Sequence, residues 1–494
     1  MDSRLDTGQP RARRWDWIAR PTGQLVVLMV IGAALRLTGL SWFPEINADE
    51  GLYTVSSKNL LSFGDWFMDG RVHLFVSPTF HAFSVILFKV FGPSIFVARI
   101  VSAIAGVASI GLIYVLVLKL TERKGLAFVA SATFTCGFAQ ILYSRWAIVE
   151  SLELMFVLAA VVAMTTGTWR GVALAGTAAA LALLTKANAV IFLPIVPFVL
   201  ARGPFGALLR DREWLLKTAA FGVIGVGLAI TIYGSLYLAY PSQFLSAFQT
   251  EISAVLVTEF PRTFFHHGRF GLSPELIGRT ILGLFRQSPF LMVLFTLGVA
   301  LSLVQRRRPP LGISTWLLFG SAYFLLQIYQ PLRYFFLLSP ALCYFAAVAV
   351  MAFQVEDARA IPRLAAPAPV AALLAYVVFN VGYTGMNAVA NPARMVRDVG
   401  SWVERNTTVD DRIIAAGYLC TDLPNRAYAH YYLGDTIDEL SRSISELGVK
   451  YVIFDAGEWP AHFREGLSDR FELLHEWPFG AVFRVDRRRP RSGL

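Results

Sequence analysis

The feature that most restricts this chain is a succession of apolar runs, near residues 22–41, 95–118, 125–143, 148–168, 171–185, 187–201, 217–240, 288–305, 313–330, 333–353 and 366–386, joined by links rich in arginine and lysine. In hydrocarbon every backbone N–H and C=O must find a partner inside the protein, so such runs fold as helices. Several fall short of the ~20 residues a straight crossing needs, which predicts bent or broken helices, above all around Thr185, Lys186 and Asn188. Composition agrees, because 16% of the residues are charged against about 25% in soluble domains. The expected class is a mainly α, polytopic membrane protein with about 11 transmembrane helices and further helices at the outer surface.

An odd number of crossings puts the two ends on opposite sides, and the charges set the direction. The basic N-terminus (1–21), with Arg11, Arg13 and Arg14, is assigned to the cytoplasm, as are Lys119 to Lys124, Arg170, Arg202 to Lys217, Arg306 to Arg308, and Arg359 with Arg363. The outer side then holds the first loop (42–94), the Tyr143 to Glu150 turn, the long loop 241–287 and the Tyr329 to Arg333 link. This follows the positive-inside rule throughout. Counting the short apolar segment 78–91 as a crossing would invert every later link, so it is expected to lie at the outer surface. The first apolar run has no small-residue cleavage site and is read as a retained span. Together these assignments predict a multi-pass membrane protein with the N-terminus cytoplasmic and the membrane domain over 22–386.

After the last run the pattern changes, and 391–494 reads as a small extracytoplasmic α/β domain. Helices are expected over Arg394 to Arg405 and Thr436 to Leu447, strands over Arg412 to Ala416 and Tyr451 to Phe454, and a terminal strand pair over Phe471 to Leu474 and Ala481 to Val485. Three cysteines exclude a disulfide-rich scaffold. The arginines sit between apolar runs rather than in one field with interleaved aromatics, which argues against a nucleic-acid partner.

Chemistry is expected where charge meets apolar sequence. The first outer loop carries Asp49 and Glu50, acids in a chain poor in them. Neighbours on a helix point about 100° apart, so one of the two can face a central cavity while the other supports it or binds a partner. A carboxylate there suits a general base. Glu150 and Glu153, three apart and close behind Arg145, share a helix face that must line a polar cavity or find cations. Lys186 and Arg333 stand in short outer breaks, and Arg99 opens a span, where it can pair with an acid of the first loop. As a group these cations suit a phosphate. Glu150, His266 and His267 are the candidates for a metal site, although the chain has no HExxH motif.

The motifs ADEGLY at 48–53, GDW at 64–66, FGPSIFVARIVSAIAG at 91–106, SRWAIVESLELMF at 144–156, LLTKANAVIFLP at 183–194 and QPLRYFFLLSPAL at 330–342, in this order, resemble the dolichyl-phosphate-mannose protein mannosyltransferase and aminoarabinose transferase superfamily of membrane glycosyltransferases, the GT-C fold. The similarity spans roughly residues 24–350. It implies Asp49 as catalytic base with Glu50 beside it, Glu150 at a position where relatives usually carry aspartate, and Lys186 with Arg333 on the lipid phosphate. The lysine-proline-proline element of the family is replaced by Val76-Ser77-Pro78-Thr79, so one phosphate-contacting lysine is missing. The implied reaction is inverting transfer of a sugar from a polyprenyl-phosphate donor to a lipid, glycan or protein acceptor at the extracytoplasmic face. A divalent ion is left open as cofactor. The alternative is a flippase or transporter of lipid-linked sugars, which would also line a cavity with charge.

Overall fold

The computed structural model describes residues 20–68, 73–200, 210–248, 265–266, 269–270, 274–306, 309–326, 332–352, 368–390, 395–429, 433, 436–457 and 459–488. The basic stretch at 11–14, residues 249–264, 267–268 and 271–273 of the 241–287 loop, and the end of the basic tail fall outside these.

The membrane part begins with α1 (Pro21–Leu37), whose proline sits at a first-turn position where the missing N–H costs nothing. The loop 42–94 then holds α2 (Ala48–Leu52), α3 (Val55–Phe63) and α4 (Pro78–Phe91). Next come α5 (Ile95–Thr121), α6 (Lys124–Cys136), α7 (Phe138–Arg145), α8 (Glu150–Met164) and α9 (Trp169–Thr185). The chain continues as 3-10 turns over Ala187–Ile191 and Leu193–Leu200, where Pro194 and Pro197 deny a regular helix two of its N–H donors. Then follow α10 (Arg212–Ala239), α11 (Pro241–Ala247), the two-residue strands β1 (Phe265–His266) and β2 (Arg269–Phe270), α12 (Pro274–Gln287), α13 (Pro289–Val304), α14 (Leu311–Leu326), a 3-10 turn Leu332–Leu338, α15 (Ser339–Ala352) and α16 (Ala368–Ala390).

By length and composition, four described helices can cross a membrane, or up to six if the bent pairs α6–α7 (57°) and Ile277–Gln287 with α13 (113°) each count as one. Eleven straight crossings are therefore not established by helix length, since five further apolar helical segments run only 10–17 residues. The side of α10 bearing Val223, Val226, Ile230 and Leu238, and that of α16 bearing Val370, Leu374 and Val378, are exposed and apolar, as lipid-facing surfaces are. The segment 78–91 is the single helix α4, packed against α3, α5 and α9.

The C-terminal part contains α17 (Met395–Asn406), β3 (Ile413–Ala415), α18 (Leu419–Asp422), β4 (Ala427–Ala429), α19 (Ile437–Leu447), β5 (Tyr451–Asp455), α20 (Ala461–Arg470), β6 (Phe471–Trp477) and β7 (Gly480–Arg488). The sheet order is β4-β3-β5-β7-β6, with β3 parallel to β4 and β5, and β7 antiparallel to β5 and β6. Strand side chains alternate between faces. Ile414, Val452, Phe454, Ala481 and Phe483 therefore meet Leu440, Ile444 and Phe463 of α19 and α20. Ile413, Ala415, Tyr451, Ile453 and Val482 join Val396, Val399 and Val403 of α17 in a core continuous with the membrane helices. A capping box of Thr436 and Glu439 starts α19, and Gly448, at φ 61°, ends it in the left-handed conformation that glycine adopts without a Cβ clash.

One patch joins the two parts. Gly51 of α2 lies so close to Gly417 that an added Cβ would sit 2.2 Å from the Gly417 carbonyl carbon. Beside it Thr54 and Thr421 share a 2.6 Å hydroxyl contact, Lys58 Nζ donates to Asn425 O at 2.7 Å, and Ser94 Oγ donates to Asp422 at 2.7 Å. Asp422 also accepts from Ile95 N, so a tail carboxylate caps α5 beside that helix's own Ser94 cap.

Candidate active site

α2 is a five-residue helix, too short to persist by propensity, and side chains hold it in place. Asn47 caps its N-terminus by accepting from Asp49 N at 3.0 Å, and Glu50 returns the contact by accepting from Asn47 N at 2.9 Å. Glu50 is fully buried and bidentate to Arg99, whose Nε and Nη2 each donate at 2.7 Å. Ala147 N donates to the same carboxylate at 2.7 Å. Asp49, one residue earlier, points elsewhere and keeps 25% of its side chain exposed.

Four segments converge on that exposed acid. Asp49 of α2 pairs with Arg333, at the start of the Leu332–Leu338 turn. Arg333 Nε lies 3.4 Å from Glu150 at the start of α8, within ion-pair reach without forming a hydrogen bond. Glu150 accepts from Lys186 Nζ at 2.7 Å, at the break between α9 and the 3-10 turns. The result is a chain of alternating charge, Asp49–Arg333–Glu150–Lys186. Its cations are 18% and 12% exposed. Glu150 Oε2 and both carboxylate oxygens of Glu153, one turn along α8, are buried with no hydrogen-bond partner. Unpaired buried oxygens beside partly exposed cations mark a place where a polar ligand completes the bonding.

Two tyrosines that the sequence reading did not single out stand at this cluster. The Tyr334 ring lies 4.1 Å from Lys186 Nζ and 5.6 Å from the Arg333 guanidinium. Tyr53 is buried within electrostatic reach of Lys186, Glu150, Tyr334 and Glu153. Burial pushes its phenol above the usual range, against the pull of Lys186, so it is a neutral hydrogen-bonding group. Tyr53 ends the ADEGLY motif and Tyr334 follows Arg333, so adjacency to candidate charges was the available signal.

Other candidates take different places. Arg99, grouped by sequence with the phosphate-binding cations, stands apart from Lys186 and Arg333 and pairs with Glu50. It is fully buried, and Nε and both Nη groups are used on Glu50, Leu40 O and Pro44 O. No donor faces a ligand, and the pairing with a first-loop acid is its observed task. Arg145 is also a brace: its guanidinium donates to Leu35, Thr38, Gly39 and Phe43 carbonyls at 2.7–3.0 Å, tying the end of α1 to the loop. Ser77, standing where the family's lysine would be, is fully buried with an unpartnered hydroxyl. Of the metal candidates, Glu150 is held by Lys186, His266 lies in the β1–β2 pair, and His267 is outside the described residues. Among the described residues no three His, Cys, Asp or Glu side chains group closely enough to hold an ion.

Residues 76–233 match the family model described as dolichyl-phosphate-mannose-protein mannosyltransferase. In overall structure the chain is similar to ArnT from Cupriavidus metallidurans bound to undecaprenyl phosphate, at 14% identity and a TM-score of 0.64, over 95% of this chain and 98% of that one. It is also similar to the archaeal oligosaccharyltransferase AglB from Archaeoglobus fulgidus in complex with an inhibitory peptide and a dolichol-phosphate, at 13% identity and a TM-score of 0.53, over 94% of this chain and 74% of that one. No curated protein sequence matches the chain.

Proposed function

We infer that this chain, built on the GT-C plan of these transferases, is itself a membrane glycosyltransferase, moving one sugar from a polyprenyl-phosphate donor to a lipid, glycan or protein acceptor. The observation that carries the reading is the convergence of Asp49, Arg333, Glu150 and Lys186 from four distant segments. In the proposed reaction an acceptor hydroxyl or amine attacks the anomeric carbon from the side opposite the phosphate. The carbon–oxygen bond to phosphate breaks, its electron pair leaves on the phosphate, and Asp49 takes the acceptor proton. Lys186 and Arg333 stabilise the charge growing on the departing phosphate.

The ligand-free pairing suggests how donor and base are coupled. Arg333 is held by Asp49, so a donor phosphate competes with Asp49 for the same guanidinium. The donor phosphate is a diester with one negative charge, and the second charge forms as the bond to the sugar breaks, so its pull on the guanidinium grows as the reaction proceeds. Arg333 moving onto that phosphate leaves Asp49 free to take the acceptor proton. Among the described residues no group of His, Cys, Asp or Glu could hold a metal ion, and no step is routed through one. The charge pattern supports a plasma-membrane location with the reaction at the extracytoplasmic face, where the first loop is assigned.

The test is to incubate membranes containing the protein with labelled polyprenyl-phosphate sugars and candidate acceptors, comparing native protein with Asp49→Asn. Covalent transfer that the variant loses is the expected result. Full transfer by Asp49→Asn overturns the base assignment. Labelled sugar that crosses the bilayer without becoming attached overturns the enzyme reading in favour of a flippase or transporter.

A further inference from the structure

The C-terminal part carries a recess that the proposed chemistry leaves unused. It has a volume of about 470 Å³ and lies between α17 and the edge strand β6. α17 supplies Asp398, Trp402, Arg405 and Asn406, and β6 supplies His475 and Trp477. The aromatic rings form a connected surface: Trp402 and His475 are near-parallel, at 27° with centroids 6.4 Å apart, and His475 meets Trp477 edge-on at 4.6 Å. Trp402 is rooted in the core beneath, where it meets Tyr451 edge-on.

The polar groups around these rings have bonding capacity to spare. Arg405 donates from Nε to Ser401 O at 2.8 Å, and no bond of its terminal nitrogens is found among the described residues. Asn406 donates to Trp402 O at 2.7 Å, which leaves its carbonyl oxygen as an acceptor. Asp398 is exposed and makes no hydrogen bond among the described residues. Flat aromatic faces carry partial negative charge and attract the weakly positive C–H face of a sugar ring. Planar guanidinium, amide and carboxylate groups at the rim match the paired hydroxyls at its edge. One guanidinium offsets one carboxylate, so the recess offers no net charge for a phosphate or an acidic peptide.

The recess is also tied to the loop that carries the proposed base. Arg397 of α17 stacks on Trp42 at 5.4 Å, and Trp42 Nε1 donates to Ala388 O at 2.8 Å. α17 thus abuts the first outer loop seven residues before Asp49. We propose that the Trp402–His475–Trp477 recess is a saccharide-binding subsite that holds a neutral sugar unit of a glycan acceptor, away from its reacting hydroxyl. This rests on the glycosyltransferase reading for its role as an acceptor subsite.

The test uses the full-length protein in nanodiscs and the neutral trisaccharides cellotriose, maltotriose, mannotriose and chitotriose, with binding read by saturation-transfer NMR and titration calorimetry. At least one trisaccharide is expected to bind. The double variant Arg405→Ala/His475→Ala alters two exposed side chains and is expected to weaken that binding at least ~10-fold, with an unchanged thermal unfolding midpoint. Asp49→Asn should bind the trisaccharide like native protein. With the same trisaccharide as acceptor in the transfer assay, the double variant should raise acceptor KM and leave kcat unchanged. No binding by native protein, or equal binding by the double variant, overturns the subsite even if transfer proceeds. Trisaccharide binding with transfer to a lipid or protein acceptor and none to any trisaccharide leaves a saccharide site standing and overturns its role toward a glycan acceptor, while the enzyme reading stands.

Discussion

Asp49 and Glu50 are neighbours with the same functional group, and the fold gives them opposite situations. Glu50 is sealed from solvent, holds Arg99 with both oxygens and also accepts from Ala147 N and Asn47 N. Asp49 has one cationic partner and a quarter of its side chain in the open. A carboxylate with every lone pair engaged cannot take up a proton without breaking the bonds that position it. One with a single exchangeable partner can. The difference between brace and base thus lies in how many partners each acid has, and a third acid extends the series. Asp422 is half-buried and leans on Ser94 and a backbone N–H, with no cation bonded to it among the described residues.

The comparison breaks most sharply at Glu50. Glu50→Gln leaves the Arg99 charge buried and uncompensated, a loss of about 3–5 kcal/mol. Thermal unfolding in detergent should show a large drop in midpoint, and donor binding should fail with it. A variant as stable as native protein would remove the distinction drawn here. Asp49→Asn should do the reverse, cutting transfer by ~10²–10⁴-fold while unfolding like native protein, since a partly exposed pair contributes about 1 kcal/mol or less.

Asp422 tests the third case through pH. Burial raises its carboxyl to about 6, against the pull of Ser94, the Ile95 N–H and Arg99, whereas an unfolded aspartate titrates near ~3.9. The folded chain binds the extra proton between those values. The stabilisation from this group is therefore complete below about pH 4 and is lost as pH rises through about 6. Protease sensitivity of the tail should increase across that range in native protein, and Asp422→Asn should flatten the profile. The smallest effect is expected at the exchangeable partner. Arg333→Lys keeps the charge and loses the planar fork, so donor KM should rise roughly tenfold with little change in kcat.

The split between the two acids was legible in the sequence, because adjacent helical positions diverge by about 100° and only one can face the cavity. Which acid turned inward was not legible, since that depends on Arg99, 49 residues away. Strand β5 showed itself as a short continuous apolar run, buried at every residue, but β4, three residues long, and α20, with Phe463 and Leu467 as its buried residues, offered too little pattern to find. The membrane helices were visible as apolar runs, yet breaks at Gly137 and Ser288 and the proline-bearing 3-10 turns made their lengths unreadable. Tyr53 and the patch linking 51–58 to 417–425 required contacts across several hundred residues, which no local periodicity encodes.

That patch also orders events in time. A chain is made from its N-terminus, so the loop bearing Asp49 is synthesised early, while Thr421 and Asn425 follow 367 residues after the groups they bind. Until then the Gly51 backbone lies uncovered, Lys58 has no Asn425 carbonyl to bond, and α5 lacks the Asp422 part of its cap. The loop synthesised near the start is finished by residues near the end. The tail contacts of that loop are thereby delayed until nearly the whole polypeptide has been made, and a chain stalled partway carries Asp49 and Glu50 without them.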